Sequence, residues 1–193
     1  LSSAKGLLLN AKKTKILVIA KNRTDFSSFI LNGQQLEEVK QFVYLGSMIT
    51  TDTECMTEVK RRVSIARESV QKMDSIWKDR SVNMKLKIRL ARSTAFAIAS
   101  YGCESWTFSP KVEKKVKAFE MWTYRRLLRV SWQDRRTNEW VLQQIGSKQT
   151  LLPQIVRRKI KFFGHAIRSD TREKSDIQGK VEGSRARRRQ KTA

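Results

Sequence analysis

The residues of this chain that could do chemistry are mainly cations, and they are spread along most of its length. The 193 residues include 41 Lys and Arg against 18 Asp and Glu, which gives a net charge of +23. Residues 54–170 hold 26 of the basic and 11 of the acidic residues, so the excess is not confined to a tail. Such an excess predicts a polyanionic partner, either nucleic acid or an acidic membrane surface.

Tryptophans accompany the cations in unusual number for this length. Basic and aromatic side chains together can hold a phosphate backbone and pack on sugars or bases. A tryptophan on an amphipathic helix is nevertheless usually a core residue, so we expect most of the five in the core. They are Trp77, Trp106, Trp122, Trp132 and Trp140.

The sequence offers no pattern of catalytic residues. It has no glycine-rich phosphate loop and no Ser-His-Asp or Cys-His set. Metal-dependent nucleotidyl transfer needs carboxylates that hold two cations about 3.5–4 Å apart, whereas the only adjacent acidic pair, Glu37 and Glu38, is expected to point to opposite faces of a strand. Cys55 and Cys103 form no CxxC pair, and the single histidine, His165, has no partner for a zinc site. We therefore expect reduced cysteines, no metal and no cofactor in this chain.

The sequence predicts short strands in the first fifty residues, and any functional side chains in this part would lie on them. A β-branched run at 15–20 predicts a strand, Asn32-Gly33 predicts a hairpin between 29–31 and 34–38, and 42–46 predicts a further strand. We expect a small antiparallel sheet with too few residues to be stable alone. We expect it to be the edge of a larger structure.

From residue 53 onward, apolar residues recur at helical spacing. The pattern predicts helices over 54–79, 83–101, 110–130, 137–146 and 151–167. Thr137 or Asn138 is placed to cap the fourth helix, Pro110 suits the first turn of the third, and Gly102 and Gly146 are expected to end helices. The last helix is expected to turn six apolar residues inward: Leu152, Ile155, Val156, Phe162, Phe163 and Ala166.

These elements predict an α+β fold that is mostly α. We expect a small antiparallel β segment over 1–52, a helical bundle over 53–170, and a disordered basic tail over 171–193, where core-forming residues are lacking. No apolar run approaches the roughly 20 residues that span a bilayer, and no signal peptide is visible. We therefore expect an intracellular protein, cytoplasmic or nuclear.

Six motifs in this order resemble the reverse transcriptases of non-LTR (LINE-type) retrotransposons. Residues 6–15 resemble the family's G-L-x-x-N-x-x-K-T-K stretch, and residues 42–49 resemble F-x-Y-L-G-x-x-I, the primer-grip motif. Each motif alone is weak, but together they cover nearly the whole chain. The others are Y-G-x-E-x-W at 101–106, F-E-x-W-x-x-R-R-x-L at 119–128 with T-N-E at 137–139, G-H-x-x-R at 164–168 and G-K-x-x-G at 179–183.

The resemblance implies roles for particular residues. Lys13 matches a lysine near the incoming nucleotide that is thought to assist the leaving pyrophosphate. The helical part matches the thumb, which rests on the template–primer duplex, and 1–52 match the end of the palm. The residues that match the grip on the primer end are Phe42, Tyr44, Leu45 and Gly46.

The resemblance and the charge together imply RNA or an RNA–DNA duplex as partner, besides the palm and fingers of the same polyprotein. They imply no membrane and no small-molecule ligand, and Mg²⁺ only for the intact polymerase. An RNA-containing duplex offers a wide, shallow minor groove that is recognised by shape. Nine cations are the expected nucleic-acid contacts: Lys12, Lys15, Arg61, Arg62, Arg125, Arg126, Arg157, Arg158 and Lys161.

The catalytic Asp-Asp motif of the family is missing from this sequence and is expected before Leu1. We therefore expect a polymerase fragment that holds template–primer nucleic acid but is inactive alone. The alternative is a retrotransposon-derived remnant that acts as a basic nucleic-acid-binding or interaction protein, or has no function. An anionic-membrane binder is weaker, because the basic faces lack a matching exposed apolar face.

Overall fold

The computed structural model describes residues 10–19, 29–31, 33–52, 54–146, 150–168 and 174, without the side chain of Trp132. Within these residues the chain has an α+β fold that is mostly α, as the sequence predicts. The predicted basic tail at 171–193 lies outside the described residues, apart from Lys174, as do the start of the first motif and the whole of the last.

Short strands make up the N-terminal part of the structure. They form three two-stranded pairs rather than the single antiparallel sheet that was predicted, and β1 and β4 run parallel, with Lys15 opposite Glu37. The predicted hairpin forms between β2 and β3, with Gly33 at a φ of 77°. The strands are β1 (Lys15–Ile16), β2 (Ile30–Leu31), β3 (Gln34–Gln35), β4 (Glu37–Glu38), β5 (Gln41–Tyr44) and β6 (Ser47–Thr50).

Helices make up the rest, which we call the helical body (54–146 and 150–168). Three short turns of other types connect them: a π-helical turn at Arg92–Phe96 and 3₁₀ turns at Cys103–Ser105 and Trp132–Asp134. The α-helices are α1 (Met56–Lys72), α2 (Asp74–Lys78), α3 (Met84–Ala91), α4 (Ala97–Ala99), α5 (Pro110–Leu128), α6 (Asn138–Ile145) and α7 (Leu151–Arg168).

The first two predicted helices are interrupted, and side chains explain both breaks. The backbone turns at Met73, and the indole N–H of Trp77 donates to the Val70 carbonyl at 2.7 Å, so a buried side chain takes the place of a helical hydrogen bond. At the π-helical turn, the hydroxyls of Ser93 and Thr94 both donate to the Leu90 carbonyl, at 3.1 and 2.7 Å. Such hydroxyls compete with the backbone ladder.

Helix ends follow the local sequence closely. Asn83 caps α3 by accepting from the Leu86 N–H at 2.8 Å, and Thr137 caps α6 through the Trp140 N–H at 3.2 Å. Pro110 begins α5, and Gly146 ends α6 in the left-handed region. The predictions for Thr137, Pro110 and Gly146 are confirmed, whereas the cap at Asn83 was not predicted.

The hydrophobic core lies entirely within the helical body. At its centre, the Phe96 ring meets Phe119 and Tyr124 edge to face, with centroids 6.0 and 5.8 Å apart. Trp77 and Trp106 are fully buried and Trp122 and Trp140 are half-buried. Of the residues described before Glu58, none is buried. The strand pairs therefore have no buried core of their own.

Helix α7 departs most from its prediction. Ile155 and Ala166 are buried as predicted and Leu152 packs partly on the core, but Val156, Phe162 and Phe163 are exposed. The sequence pattern identifies apolar positions on a helix and cannot tell how many of them meet a neighbour. None of the helices in the described part of the chain combines the length and hydropathy needed to cross a bilayer.

Candidate nucleic-acid interface

The predicted primer-grip residues lie on a tight β-hairpin. Strands β5 and β6 pair in register, with Tyr44 opposite Ser47, and Leu45 and Gly46 form the two-residue turn with φ of 47° and 79°. Two positive φ values match the turn type that suits the twist of paired strands. The return strand β6 was not predicted, although the glycine at the end of an apolar run was the available signal. Phe42, Tyr44 and Leu45 are exposed, Leu45 by 77%.

The turn of this hairpin is fastened to the helical body by its carbonyl groups. Tyr101 donates its hydroxyl to the Leu45 carbonyl at 3.1 Å, and Arg61 donates to the Gly46 carbonyl at 2.5 Å. Arg62 donates to the same Gly46 carbonyl and lies over the Tyr101 ring, 4.2 Å from its centroid.

Gly102 makes this close approach possible. A Cβ at Gly102 would meet the Ser47 hydroxyl oxygen at 2.5 Å, and the residue has a φ of 68°, which glycine adopts readily. The Y-G and F-x-Y-L-G motifs, more than fifty residues apart, therefore contact each other.

Glu58 organises the arginines that hold the hairpin. Its carboxylate accepts from Arg61 and Arg62, both at 2.7 Å, and from the Met48 backbone N–H at 3.1 Å. Its side chain is almost fully buried. Burial works to raise the pKa of Glu58, but the hydrogen bonds from the two arginines and from Met48 outweigh it and hold that pKa below its ordinary value.

The K-T segment presents its lysines on a compact turn. Asn10 accepts the Lys12 N–H on its side-chain oxygen at 3.0 Å, and its carbonyl accepts both the N–H and the hydroxyl of Thr14. The side chains of Lys12 and Lys13 are exposed, while Lys15 pairs with Glu37 at 3.1 Å. The asparagine and threonine of the motif thus have a structural explanation, and Lys13 points to no partner among the described residues.

The outer side of α5 carries cations beside two grooves. We call it the α5 face, defined by Lys114, Ala118, Trp122, Arg125 and Arg129. Two shallow grooves, of about 570 and 730 Å³, flank it, and Trp122 and Arg125 line both. The charged residues that line the grooves are the cations Lys78, Lys114, Lys117, Arg125, Arg126 and Arg129 and the acids Asp74 and Glu113.

Trp122 orders cations on this face. Its half-buried ring stacks on Phe119, and the guanidinium groups of Arg67 and Arg126 lie 5.0 and 5.9 Å from its centroid. Because Phe119 and the arginines cover the ring, we assign Trp122 to positioning the arginines rather than to stacking on a base.

The predicted nucleic-acid contacts fall into two groups. Arg125 donates to the Asn138 side chain at 2.9 Å and to the Arg136 carbonyl at 2.8 Å, and Arg126 pairs with Asp74 at 2.9 Å. The predicted contacts in the first group have partners within the protein, and they also include Lys15, Arg61 and Arg62. These side chains stabilise contacts between segments of the fold.

Helix α7 contains members of both groups. Arg158 joins α7 to the Y-G-x-E-x-W segment, through Glu104 at 2.7 Å and the Ser100 carbonyl at 3.0 Å. Arg157 and Lys161 are exposed, like Lys12, and have no polar partner within the described part of the chain. These three remain predicted contacts with free side chains.

Sequence reasoning missed several residues that shape this surface. Lys114 and Arg129 were not singled out, although their spacing along α5 matches that of Arg125. Glu58 and Tyr101 were missed as positioning residues, because no local pattern links them to the hairpin. The buried Glu120, in the F-E-x-W motif, was missed for the same reason.

The acidic residues and cysteines that the structure describes do not fit a metal site. In the part of the chain that the structure describes, no group of three or more His, Cys, Asp or Glu side chains is placed to hold a metal ion. Cys55 and Cys103 are both free, and burial raises the pKa of the Cys103 thiol to about 11. The two-metal chemistry of a polymerase therefore has no ligand set in these residues.

Comparison with known proteins gives a distant relationship. The chain is similar to an uncharacterized transposon-derived protein of Caenorhabditis elegans, with 27% identity over 175 residues. The match covers 84% of this chain and 60% of that protein, so the chain spans about three fifths of its relative's length. No family model matches the sequence. No solved structure matches it either. The relative's name fits an origin in a transposon.

Proposed function

We propose that this chain is the end of the palm and the thumb of a non-LTR retrotransposon reverse transcriptase, and that it holds template–primer RNA or RNA–DNA duplex. The observation that carries the proposal is the contact between its motifs. The predicted primer-grip turn is fastened by Arg61, Arg62 and Tyr101. A hairpin with no buried residue of its own is thereby fixed beside a cationic helical body, which is what holding a primer end next to a duplex requires.

The α5 face is the surface proposed to contact the duplex. α5 has 19 residues and is therefore about 28 Å long, enough to follow several phosphates. Six cations and two acids line its grooves. Each acid is already paired, Glu113 with Lys117 and Asp74 with both Lys78 and Arg126. The remaining positive charge faces outward, where it would attract a polyanion.

Contact with the phosphate backbone is the proposed mode of recognition. Lysines and arginines on a helix face bind phosphates without reading the base sequence. The arginines around Trp122 are already ordered, so little side-chain freedom would be lost on binding. Contacts of this kind suit a protein that must move along its substrate. No chemical step is assigned to these residues, and Mg²⁺ would belong to carboxylates outside this sequence.

Arg129→Gly should weaken duplex binding while making the protein more stable. Arg129 ends α5 with a φ of 60°, a conformation that glycine adopts at lower cost. The hydrogen bond that the substitution removes, from Arg129 to the Lys78 carbonyl, is exposed and long at 3.4 Å, so we expect a net gain of about 0.5 kcal/mol in unfolding free energy. Loss of one phosphate contact should lower affinity for an RNA–DNA duplex about tenfold at 0.1 M salt and reduce the slope of log K against log salt by about 1. Fluorescence anisotropy over a salt series measures both effects.

Lys85→Gln is the matched control, since Lys85 is an exposed cation that lines neither groove. It should leave affinity and slope within about a factor of two of the parent. Equal losses in Lys85→Gln and Arg129→Gly would show diffuse attraction without a defined face. Binding that does not weaken as salt rises would contradict the proposed phosphate contacts altogether.

A transposon-derived nucleic-acid-binding or interaction protein is the second candidate, and the name of the Caenorhabditis elegans relative favours it. Both candidates expect the 193 residues alone to extend no primer, because the Asp-Asp motif is not among them. They differ in substrate. A polymerase thumb should prefer a recessed primer–template end over a blunt duplex, through the hairpin, whereas a general binding protein should not distinguish the two.

A further inference from the structure

Helix α7 exposes a continuous apolar row that the proposed nucleic-acid binding does not use. We call it the α7 stripe, and it consists of Val156, Ile160, Phe163 and Ile167, at spacings of four, three and four residues. Val156 is 39% exposed, Ile160 66% and Phe163 50%, while Ile167 is half-buried. Single exposed apolar residues are ordinary, but a contiguous row on one helix face marks an interaction site.

The stripe lies beside the buried line of α7. Each residue turns a helix by about 100°, so the stripe lies about that far from the line of Leu151, Ile155 and Ala166 that meets the body. Arg158 and Glu104 fix this rotation, at 2.7 Å. The apolar row therefore cannot turn inward without breaking that ion pair.

A cationic row borders the stripe on its other side. Arg157, Lys161 and Arg168 follow one another at spacings of four and seven residues and are exposed. Among the described residues none of the three has an ion-pair partner, and α7 itself contains five Lys and Arg but no Asp or Glu. The α7 surface thus combines an apolar row with uncompensated positive charge. The expectation that the basic faces lack a matching exposed apolar face is therefore wrong for α7.

We propose that the α7 stripe binds an acidic amphipathic helix of a protein partner. Such a helix would cover the apolar row with its own apolar residues, and its carboxylates would meet Arg157, Lys161 and Arg168. Arg157 and Lys161 would then serve this partner in place of the nucleic acid that the sequence predicts for them, while the α5 face remains the duplex surface. A second copy of α7 would instead bring two such cationic rows together, with six like charges. A nucleic acid would satisfy the cations but leave Ile160 and Phe163 in water.

The test uses the whole chain and a designed helical peptide of about 18 residues, with leucines spaced to match the stripe and glutamates beside them. A scrambled peptide of the same composition keeps the charge and removes the apolar face. We expect the helical peptide to bind at least about tenfold more tightly than the scrambled one in fluorescence anisotropy. The double variant Ile160→Asp/Phe163→Asp should abolish this difference.

Leu86→Asp is the control, because Leu86 is an equally exposed apolar residue on α3. It should bind the helical peptide like the parent chain, and circular dichroism should show unchanged helix content in all variants. Equal binding of both peptides would overturn the proposal in favour of charge alone. Binding to phosphatidylserine vesicles that Ile160→Asp/Phe163→Asp abolishes, or a dimer that it dissociates, would overturn it in favour of a membrane or a second copy.

Discussion

Glu58→Ala should release the β5–β6 hairpin from the helical body and cost about 3 kcal/mol of unfolding free energy. The substitution leaves the buried Arg62 and the partly buried Arg61 without their carboxylate. It also leaves the Met48 N–H without the acceptor that it has at 3.1 Å. Removal of one partner from a buried ion pair is costly because the remaining charge stays out of water. Chemical denaturation measures the loss.

Hydrogen exchange at the Met48 amide separates hairpin release from general destabilisation. The exchange rate of this amide should rise much more from the parent to Glu58→Ala than the exchange rates of amides in the α5 core. Glu58→Gln is the matched variant, since it keeps the shape and one acceptor oxygen but not the charge, and it should lie between the parent and Glu58→Ala. Unchanged protection at Met48 in Glu58→Ala would show that the hairpin is held by other contacts.

Acid should weaken the same contact between Glu58 and the β5–β6 hairpin. The pKa of Glu58 in the folded protein lies below its ordinary value of 4.5, so ionised Glu58 stabilises the fold at pH values above 4.5. That stabilisation is lost as the pH falls below 4.5 through the folded pKa. Glu58→Gln should lack this part of the pH dependence. Identical pH profiles for the two proteins between pH 5 and pH 3 would mean that Glu58 is not the group responsible.

The sequence was most informative where local chemistry decides the structure. The cap at Thr137, Pro110 at the start of α5, Gly146 at the end of α6 and the mostly helical class all depend on neighbouring residues, and all were predicted. The cap at Asn83 is of the same kind but was missed. The Asn32-Gly33 hairpin was predicted on the same basis. Such features depend on a few dihedral angles and nearby hydrogen bonds, which sequence patterns represent directly.

Prediction from the sequence failed where contacts between distant segments determine the structure. The pairing of β1 with β4 depends on a contact across 22 residues, and the exposure of Phe162 and Phe163 depends on what lies beside α7. The candidate interface shows the same division. The cations of α5 and α7 could be found from their spacing, but which of them are occupied by protein partners could not. Arg62 has the same type and local pattern as a free surface arginine, yet Glu58, Gly46 and Tyr101 surround it.

Glu120→Ala should loosen α7 and cost about 3 kcal/mol, the sum expected for several hydrogen bonds to one buried carboxylate. Glu120 is fully buried on α5, and one of its oxygens accepts from the Thr150 N–H at 2.7 Å, the Leu151 N–H at 3.2 Å and the Tyr124 hydroxyl at 2.9 Å. It therefore caps the first turn of α7 from another helix, and a negative charge is favourable at that end. Urea denaturation measures the cost.

Glu120→Gln decides whether the cap or the charge matters. The second oxygen of Glu120 has no hydrogen-bond partner, so a glutamine can keep the capping oxygen, and its amide group replaces an oxygen that makes no hydrogen bond. We expect Glu120→Gln to retain most of the stability, within about 1 kcal/mol of the parent, and to keep the α7 amides protected from exchange. A loss in Glu120→Gln as large as in Glu120→Ala would assign the effect to the charge instead. The hairpin depends on Glu58, in α1, and Met48 protection should survive both Glu120 variants, so the two joints of the helical body can be separated experimentally.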